Sequence, residues 1–187
     1  MRGGVTGLVV AAALGLGGCL EGGLASSVAF PPDIPGLAPD QPWVRLPVDA
    51  WVAEGPVEAA AIAGCFAPGC APPAAVGLFR ARGREGERLV RLAEDPERLA
   101  KAVLEGKPRP KGATARPRPP VAASAERLRE NGWRGFSLHL GRIDGTRTAH
   151  AAVLTRQTGG TVTMVIVVSP AADGALRLAR EVAAGQG

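Results

Sequence analysis

Residues 133–169 read WRGFSLHLGRIDGTRTAHAAVLTRQTGGTVTMVIVVS. Apolar and polar residues alternate through most of this stretch, as they do in half-buried β-strands. The dipeptides Asp144-Gly145 and Gly159-Gly160 interrupt the alternation, and both are typical of hairpin turns. The pattern therefore predicts three consecutive antiparallel strands, at 133–142, 147–157 and 161–168.

A two-residue turn at Asp144-Gly145 would set the register between the first two of these strands. One face of that hairpin is apolar and is predicted to lie in the core: Phe136, Leu138, Leu140, Ala149, Ala151 and Val153. The opposite face pairs His139 with His150, and Ser137 lies beside them. The third strand contains the run 165–168, which is apolar on both faces and therefore indicates a central, doubly covered strand.

Weaker patterns complete the expected fold. Two further strands are predicted, at 43–52 and 74–80. Helices are predicted at 56–64, 86–93, 95–106 and 124–130, and after Ser169-Pro170 to the end of the chain. The sequence thus predicts an α+β domain over 43–187. Its antiparallel sheet has three consecutive C-terminal strands plus one or two N-terminal strands, and helices pack on it.

The N-terminal residues have the pattern of an export signal. Arg2 precedes an uncharged apolar segment that is too short to cross a bilayer, which is the layout of a secretory signal peptide. The segment ends in Leu16-Gly17-Gly18-Cys19, which resembles the lipobox of bacterial lipoproteins. This resemblance covers residues 1–19 and implies that 1–18 are removed and Cys19 is lipidated. The alternative is cleavage after Ala29, which would release a soluble periplasmic protein.

A lipoprotein anchor would determine the location of the protein. Several acyl chains hold a protein stably on a membrane, whereas one chain does so only marginally. The expected location is therefore the bacterial cell envelope, with the domain in the periplasm. Leu20 follows the cysteine, and the absence of aspartate there slightly favours the outer membrane.

Two proline-rich segments carry few apolar residues. Residues 19–42 are predicted to be an extended tether between the lipid and the domain. Residues 106–121 are predicted to be a disordered basic loop. It would act as a solvated linker or contact an anionic surface through its five cations: Lys107, Arg109, Lys111, Arg116 and Arg118. A polymer of the envelope or another envelope protein would be the partner.

Cys65 and Cys70 remain once Cys19 is assigned to lipid. Proline and glycine between them favour a turn that brings the thiols together. An oxidising compartment then favours a structural disulfide. The other interpretation is a redox-active or metal-binding pair, but thiol oxidoreductases usually separate their cysteines by two residues.

His139 and His150 are the only two histidines in the chain. Opposed residues in an antiparallel pair have Cβ atoms about 5 Å apart, so two imidazoles could share one metal ion. Zinc sites usually require at least three protein ligands, whereas copper or nickel is compatible with two imidazoles plus water. The alternative is two polar residues on the less buried face of a hairpin, and the ligand count favours it.

No catalytic motif is recognisable. The sequence contains no phosphate-binding glycine loop, no Gly-x-Ser-x-Gly elbow and no tyrosine. The net charge of +5 is too small to indicate nucleic-acid binding, and no cofactor is indicated. The sequence therefore predicts a non-catalytic envelope lipoprotein, a structural, assembly or binding module held at the membrane by its lipid. An exported metal-binding protein that uses the histidine pair is the alternative.

Overall fold

The computed structural model describes residues 34–46, 58–66, 68–98, 121–143 and 145–187. Within these residues, seven strands form one antiparallel sheet in the order β1-β2-β3-β7-β6-β5-β4. The elements are β1 (Val44–Arg45), β2 (Glu58–Cys65), β3 (Ala74–Arg82), α1 (Gly83–Glu94), β4 (Val121–Glu130), β5 (Trp133–Arg142), β6 (Thr148–Thr158), β7 (Thr161–Ser169) and α2 (Ala172–Ala184). The predicted α+β fold with an antiparallel sheet is confirmed.

Strands β5, β6 and β7 are the three predicted C-terminal strands. The predicted register between β5 and β6 is also confirmed, because His139 and His150 are Cα partners. The turn itself differs from the prediction. The N–H of Gly145 donates to the carbonyl of Arg142 at 2.8 Å, and the N–H of Arg142 donates to the carbonyl of Arg147 at 2.9 Å. The loop is therefore longer than two residues, but its centre is the same and the register does not change.

Strand β7 is the central strand of the seven, between β3 and β6. Its side chains alternate between two apolar layers. Val165 and Val167 point into the layer that packs against α2, and each is 0 % exposed. Met164 and Val168 point into the layer that packs against α1. The prediction of a doubly covered central strand is confirmed.

The two helices cover opposite faces of the sheet. The α1 face contains the predicted core residues of the hairpin, and Phe136, Leu138 and Val153 are each at most 2 % exposed. The α2 face packs Ala179 and Val182 of α2, both 0 % exposed, against the central strands. Because α2 lies over β6 and β7 and makes fewer contacts with β5, the outer part of this face stays open.

The helix predicted at 56–64 is wrong, because this segment contains strand β2. Its alanine-rich sequence EAAAIAGC has high intrinsic helix propensity. In the fold, β2 pairs with β1 on one side and with β3 on the other. Ala63 and Cys65 are each 0 % exposed on the α2 face. Strand pairing and burial in the sheet outweigh the local preference for helix.

The helix predicted at 124–130 is also wrong, because residues 121–130 form the edge strand β4. Asn131-Gly132, interpreted as a helix stop, is instead the hairpin turn between β4 and β5. Both residues have positive φ, 50° and 78°, as a type I′ turn requires. Strand β4 can have a charged composition that also suits a helix, because one edge of the strand and most of its side chains are exposed to solvent.

Helix α1 confirms the prediction at 86–93 and extends it at both ends. After it, residues 96–98 are helical, and the N–H of Arg98 donates to the Asp95 carboxylate at 3.0 Å. This is the predicted aspartate cap. The remainder of that predicted helix, through Gly106, lies outside the described residues.

Residues 34–43 belong to the folded part rather than to the predicted tether. Ile34 and Trp43 are each 3 % exposed and lie in the apolar layer under α2. Gly36 approaches the backbone of α2 so closely that a Cβ there would lie 2.8 Å from the Cα of Val182. The domain therefore extends back at least to Ile34 and does not begin at Trp43. The strand predicted over 43–52 is observed at 44–45, and 47–52 lie outside the described residues.

Candidate functional site

The candidate site is the histidine pair on the open part of the α2 face. His139 on β5 and His150 on β6 face each other across the strands, and their ring centroids are 4.6 Å apart. The rings stack with an angle of 19° between their planes. His139 is exposed and His150 is half-buried, so solvent reaches the pair from one side.

Small and polar residues surround the two rings. Ser124 of β4 is paired with His139, and Ser169 of β7 is paired with His150. The four residues therefore form one row across the sheet. Gly141 lies beside the His139 ring, and a Cβ there would be 3.5 Å from its Cε1 and Nε2 atoms. A Cβ at this position would therefore make only ordinary van der Waals contact with the ring.

Ser169 has a structural role at the start of α2. Its hydroxyl donates to the carbonyl of Pro73 at 3.0 Å and accepts the N–H of Ala171 at 3.2 Å. Ser169 is 1 % exposed, so its hydroxyl lies in the protein interior. These bonds connect the end of β7 to the loop before β3, and they place the first turn of α2 next to the histidines.

The surroundings of His150 favour a neutral ring. Burial lowers the pKa of His150, and the neighbouring His139 lowers it further by charge repulsion. Asp173, in the first turn of α2, acts in the opposite direction and raises this pKa. Since burial is the largest of these effects, the net result is a pKa below the ordinary histidine value of 6.5.

This shift makes a testable prediction for the metal-free protein. Because the pKa of His150 is lower in the folded state, the unfolded chain binds more protons between that pKa and 6.5. We therefore expect the free energy of unfolding to fall as the pH is lowered through this window. An NMR titration should give a His150 pKa below 6.5 that moves upward in His139→Ala. A His150 pKa at or above 6.5 in the wild-type protein would contradict the assignment.

The predicted disulfide is present. Cys65 at the end of β2 and Cys70 are bonded, with their Cα atoms 5.6 Å apart. Cys65 is 0 % exposed and Cys70 is 6 % exposed, so the bond lies inside the apolar layer under α2. This burial favours the structural interpretation over a redox-active pair, whose attacking sulfur must be accessible.

The other predicted site residues lie outside the described residues. These are the lipidation site Cys19 and the five basic residues Lys107, Arg109, Lys111, Arg116 and Arg118. The structure does place the point where the basic segment joins the sheet. Val121, the last residue of the predicted loop, is instead the first residue of β4 and the Cα partner of Arg142 at the end of β5.

Two residues were not identified from their spacing in the sequence, Asp173 and Arg156. Asp173 influences His150 although 22 residues separate them, and only the docking of α2 brings them together. Arg156 stacks on Trp133 with its guanidinium carbon 4.7 Å from the ring centroid, and it donates to the carbonyls of Gln186 and Gly187. The Arg156–Trp133 contact follows from the same register that pairs the histidines, so the sequence did contain that signal.

The histidine pair has few of the partners that catalysis requires. Over the part of the chain that the structure describes, no group of three His, Cys, Asp or Glu side chains is placed to hold a metal ion. Ser137 is the hydroxyl residue of β5 nearest to the histidine pair. Within the described residues, no carboxylate is hydrogen-bonded to either histidine ring. The arrangement can bind a ligand or an ion through imidazole nitrogens.

A shallow surface groove lies away from the histidine pair. An open groove of about 370 Å³ runs between residues 36–41 and α2, and Leu37, Pro72 and Leu178 line part of it.

No helix in the described ranges is long and apolar enough to cross a membrane. A scan against protein-family models finds no match for this chain, and a search of curated proteins finds no relative.

Proposed function

We propose that this chain is a bacterial envelope lipoprotein whose periplasmic domain is a non-catalytic structural, assembly or binding module. The observation that carries the proposal is the buried Cys65–Cys70 disulfide, considered together with the lipobox at Leu16-Gly17-Gly18-Cys19. Disulfides persist in exported proteins and are rare in the reducing cytosol. The bond and the signal segment therefore indicate the same compartment by independent routes.

The shape of the domain supports a binding role. Among the described residues, β4 is an edge strand, and Ser124 and Glu126 of β4 and His139 of β5 are exposed on the α2 face. An exposed strand edge suits contact with another macromolecule better than enclosure of a small substrate. The basic segment at 107–118 extends the possible contact area and favours an anionic envelope polymer as the partner.

Residues 34–43 shorten the expected tether. If Cys19 is lipidated, the chain between the lipid and the first described residue, Ile34, is 34 − 19 = 15 residues long. Fully extended, such a segment spans at most about 50 Å. The domain would therefore stay within a short distance of the membrane. Of the two bacterial membranes, the outer one is slightly favoured as the site of the anchor.

The proposal is tested by labelling bacteria that express the full-length chain with palmitate and then fractionating them. The wild-type protein is expected to carry the label and to remain in the membrane fraction. Cys19→Ala should lose both properties completely, because sulfur at this position is the attachment point. The matched control is Cys65→Ala with Cys70→Ala, which removes two thiols but should keep the label and the membrane location.

Two outcomes would contradict the anchoring. An unlabelled soluble protein that begins at Phe30 would be a free periplasmic protein cut after Ala29. An unprocessed chain in the cytosol, with Cys65 and Cys70 open to a maleimide reagent in intact cells, would overturn export as well.

A further inference from the structure

We infer that His139 and His150 form a two-imidazole binding site for Cu(II), and for Ni(II) with lower affinity. This inference does not depend on the lipid anchor. It rests on the position of the two histidines of the chain, which the sheet places as Cα partners on neighbouring strands. The ring centroids are only 4.6 Å apart, so both rings lie close enough to bind one ion.

The site is accessible and has room to rearrange. Stacked rings direct their nitrogen lone pairs along parallel planes, so binding requires the rings to turn until two nitrogens converge on the ion. His139 is exposed, and Gly141 beside it has no side chain to restrict that ring. Opposed Cβ atoms about 5 Å apart allow both imidazoles to reach an ion at a bond length of about 2 Å.

Acidic groups near the histidine pair favour a cation. Asp173 of α2 acts on His150 through its negative charge. Glu126 on β4 is the partner of Ser137 and so lies one step along the sheet from the pair. The nearest arginine of β5, Arg142, follows the alternation of the strand onto the α1 face, as Leu140 does. A divalent ion bound between two neutral imidazoles would therefore have acidic neighbours.

The donor set selects the metal. Imidazole nitrogen suits copper, nickel and zinc, whereas calcium and magnesium require oxygen ligands. Zinc sites usually take at least three protein ligands, and the described residues place only two. Cu(II) accepts a tetragonal arrangement of nitrogen and oxygen ligands, and it binds more tightly than Ni(II) at a given site. Water would occupy the remaining positions.

The test is a Cu(II) titration of the purified full-length protein in detergent, read by calorimetry and by electron paramagnetic resonance. The wild-type protein is expected to bind one Cu(II) with a spectrum of two equivalent nitrogens. His139→Ala and His150→Ala should each weaken binding by about 100-fold, because the second imidazole acts as an intramolecular ligand. The double variant should bind little more weakly than either single one.

Two controls separate the site from background binding. Ser137→Ala changes a neighbour on the same face and should leave the affinity unchanged. Magnesium should not compete with Cu(II). Circular dichroism of each variant establishes that it folds, and His139 is exposed, so its replacement removes no core packing. Equal Cu(II) uptake by the wild-type protein and His139→Ala, or a spectrum with one nitrogen, would overturn the inference.

Discussion

Replacing Phe136 with alanine is expected to lower the free energy of unfolding by about 3–5 kcal/mol. The side chain is 0 % exposed and is the largest one fully buried in the structure's core. It lies on β5 in the apolar layer that holds α1 against the sheet, together with Leu89 and Met164. Truncation removes the apolar contacts of the ring and leaves a cavity that β-sheet backbone cannot collapse to fill.

Urea denaturation of the two proteins measures this difference. The matched control is Ile143→Ala, at the tip of the same hairpin, where the side chain is 69 % exposed. Its effect should stay within about 0.5 kcal/mol, as is usual for surface positions. A loss for Phe136→Ala as small as that of the control would show that α1 does not pack on this face as described.

Gly36→Ala is expected to lower the free energy of unfolding by about 2–4 kcal/mol. Gly36 has a φ of +92°, which an alanine adopts only with strain. A Cβ at this position would also collide with the backbone of Glu181 and Val182 in α2. The substitution must therefore either distort the backbone or detach residues 34–43 from the helix.

Gly159→Ala is the control that separates strain from contact. Gly159 also has positive φ, +55°, but no atom lies within 4 Å of the Cβ position. Its replacement should cost about 1–2 kcal/mol from backbone strain alone. A Gly36→Ala protein as stable as the wild type would mean that residues 34–43 are part of the tether after all. Denaturant or thermal unfolding of both variants decides between these outcomes.

Local patterns in the sequence were sufficient for the C-terminal half of the sheet. Strands β5 to β7 were predictable because alternation of apolar residues and glycine-containing turns are properties of neighbouring residues. The register of the His139–His150 pair followed from the position of one turn. It was insensitive to the exact turn length, because the loop found in the structure has the same centre.

Strands β2 and β4 required information that local patterns do not contain. The alanine-rich β2 and the charged β4 have helix-like compositions, and only their partners in the sheet determine that they are strands. The Asn131-Gly132 turn illustrates the ambiguity, since this dipeptide ends helices as readily as it closes hairpins. A wrong assignment of the preceding segment therefore led to a wrong interpretation of the turn.

The sequence by itself was sufficient to predict the cysteine pair, the central strand and the pairing of the two histidines, all of which the structure contains. The export signal also comes from the sequence alone and stays a prediction. Tertiary structure alone decided that residues 34–43 pack on α2 and that Asp173 lies near His150. The physical reason is the range of the interactions. Turns and alternation act between neighbours in the chain, whereas helix docking depends on contacts between residues that are far apart in the chain.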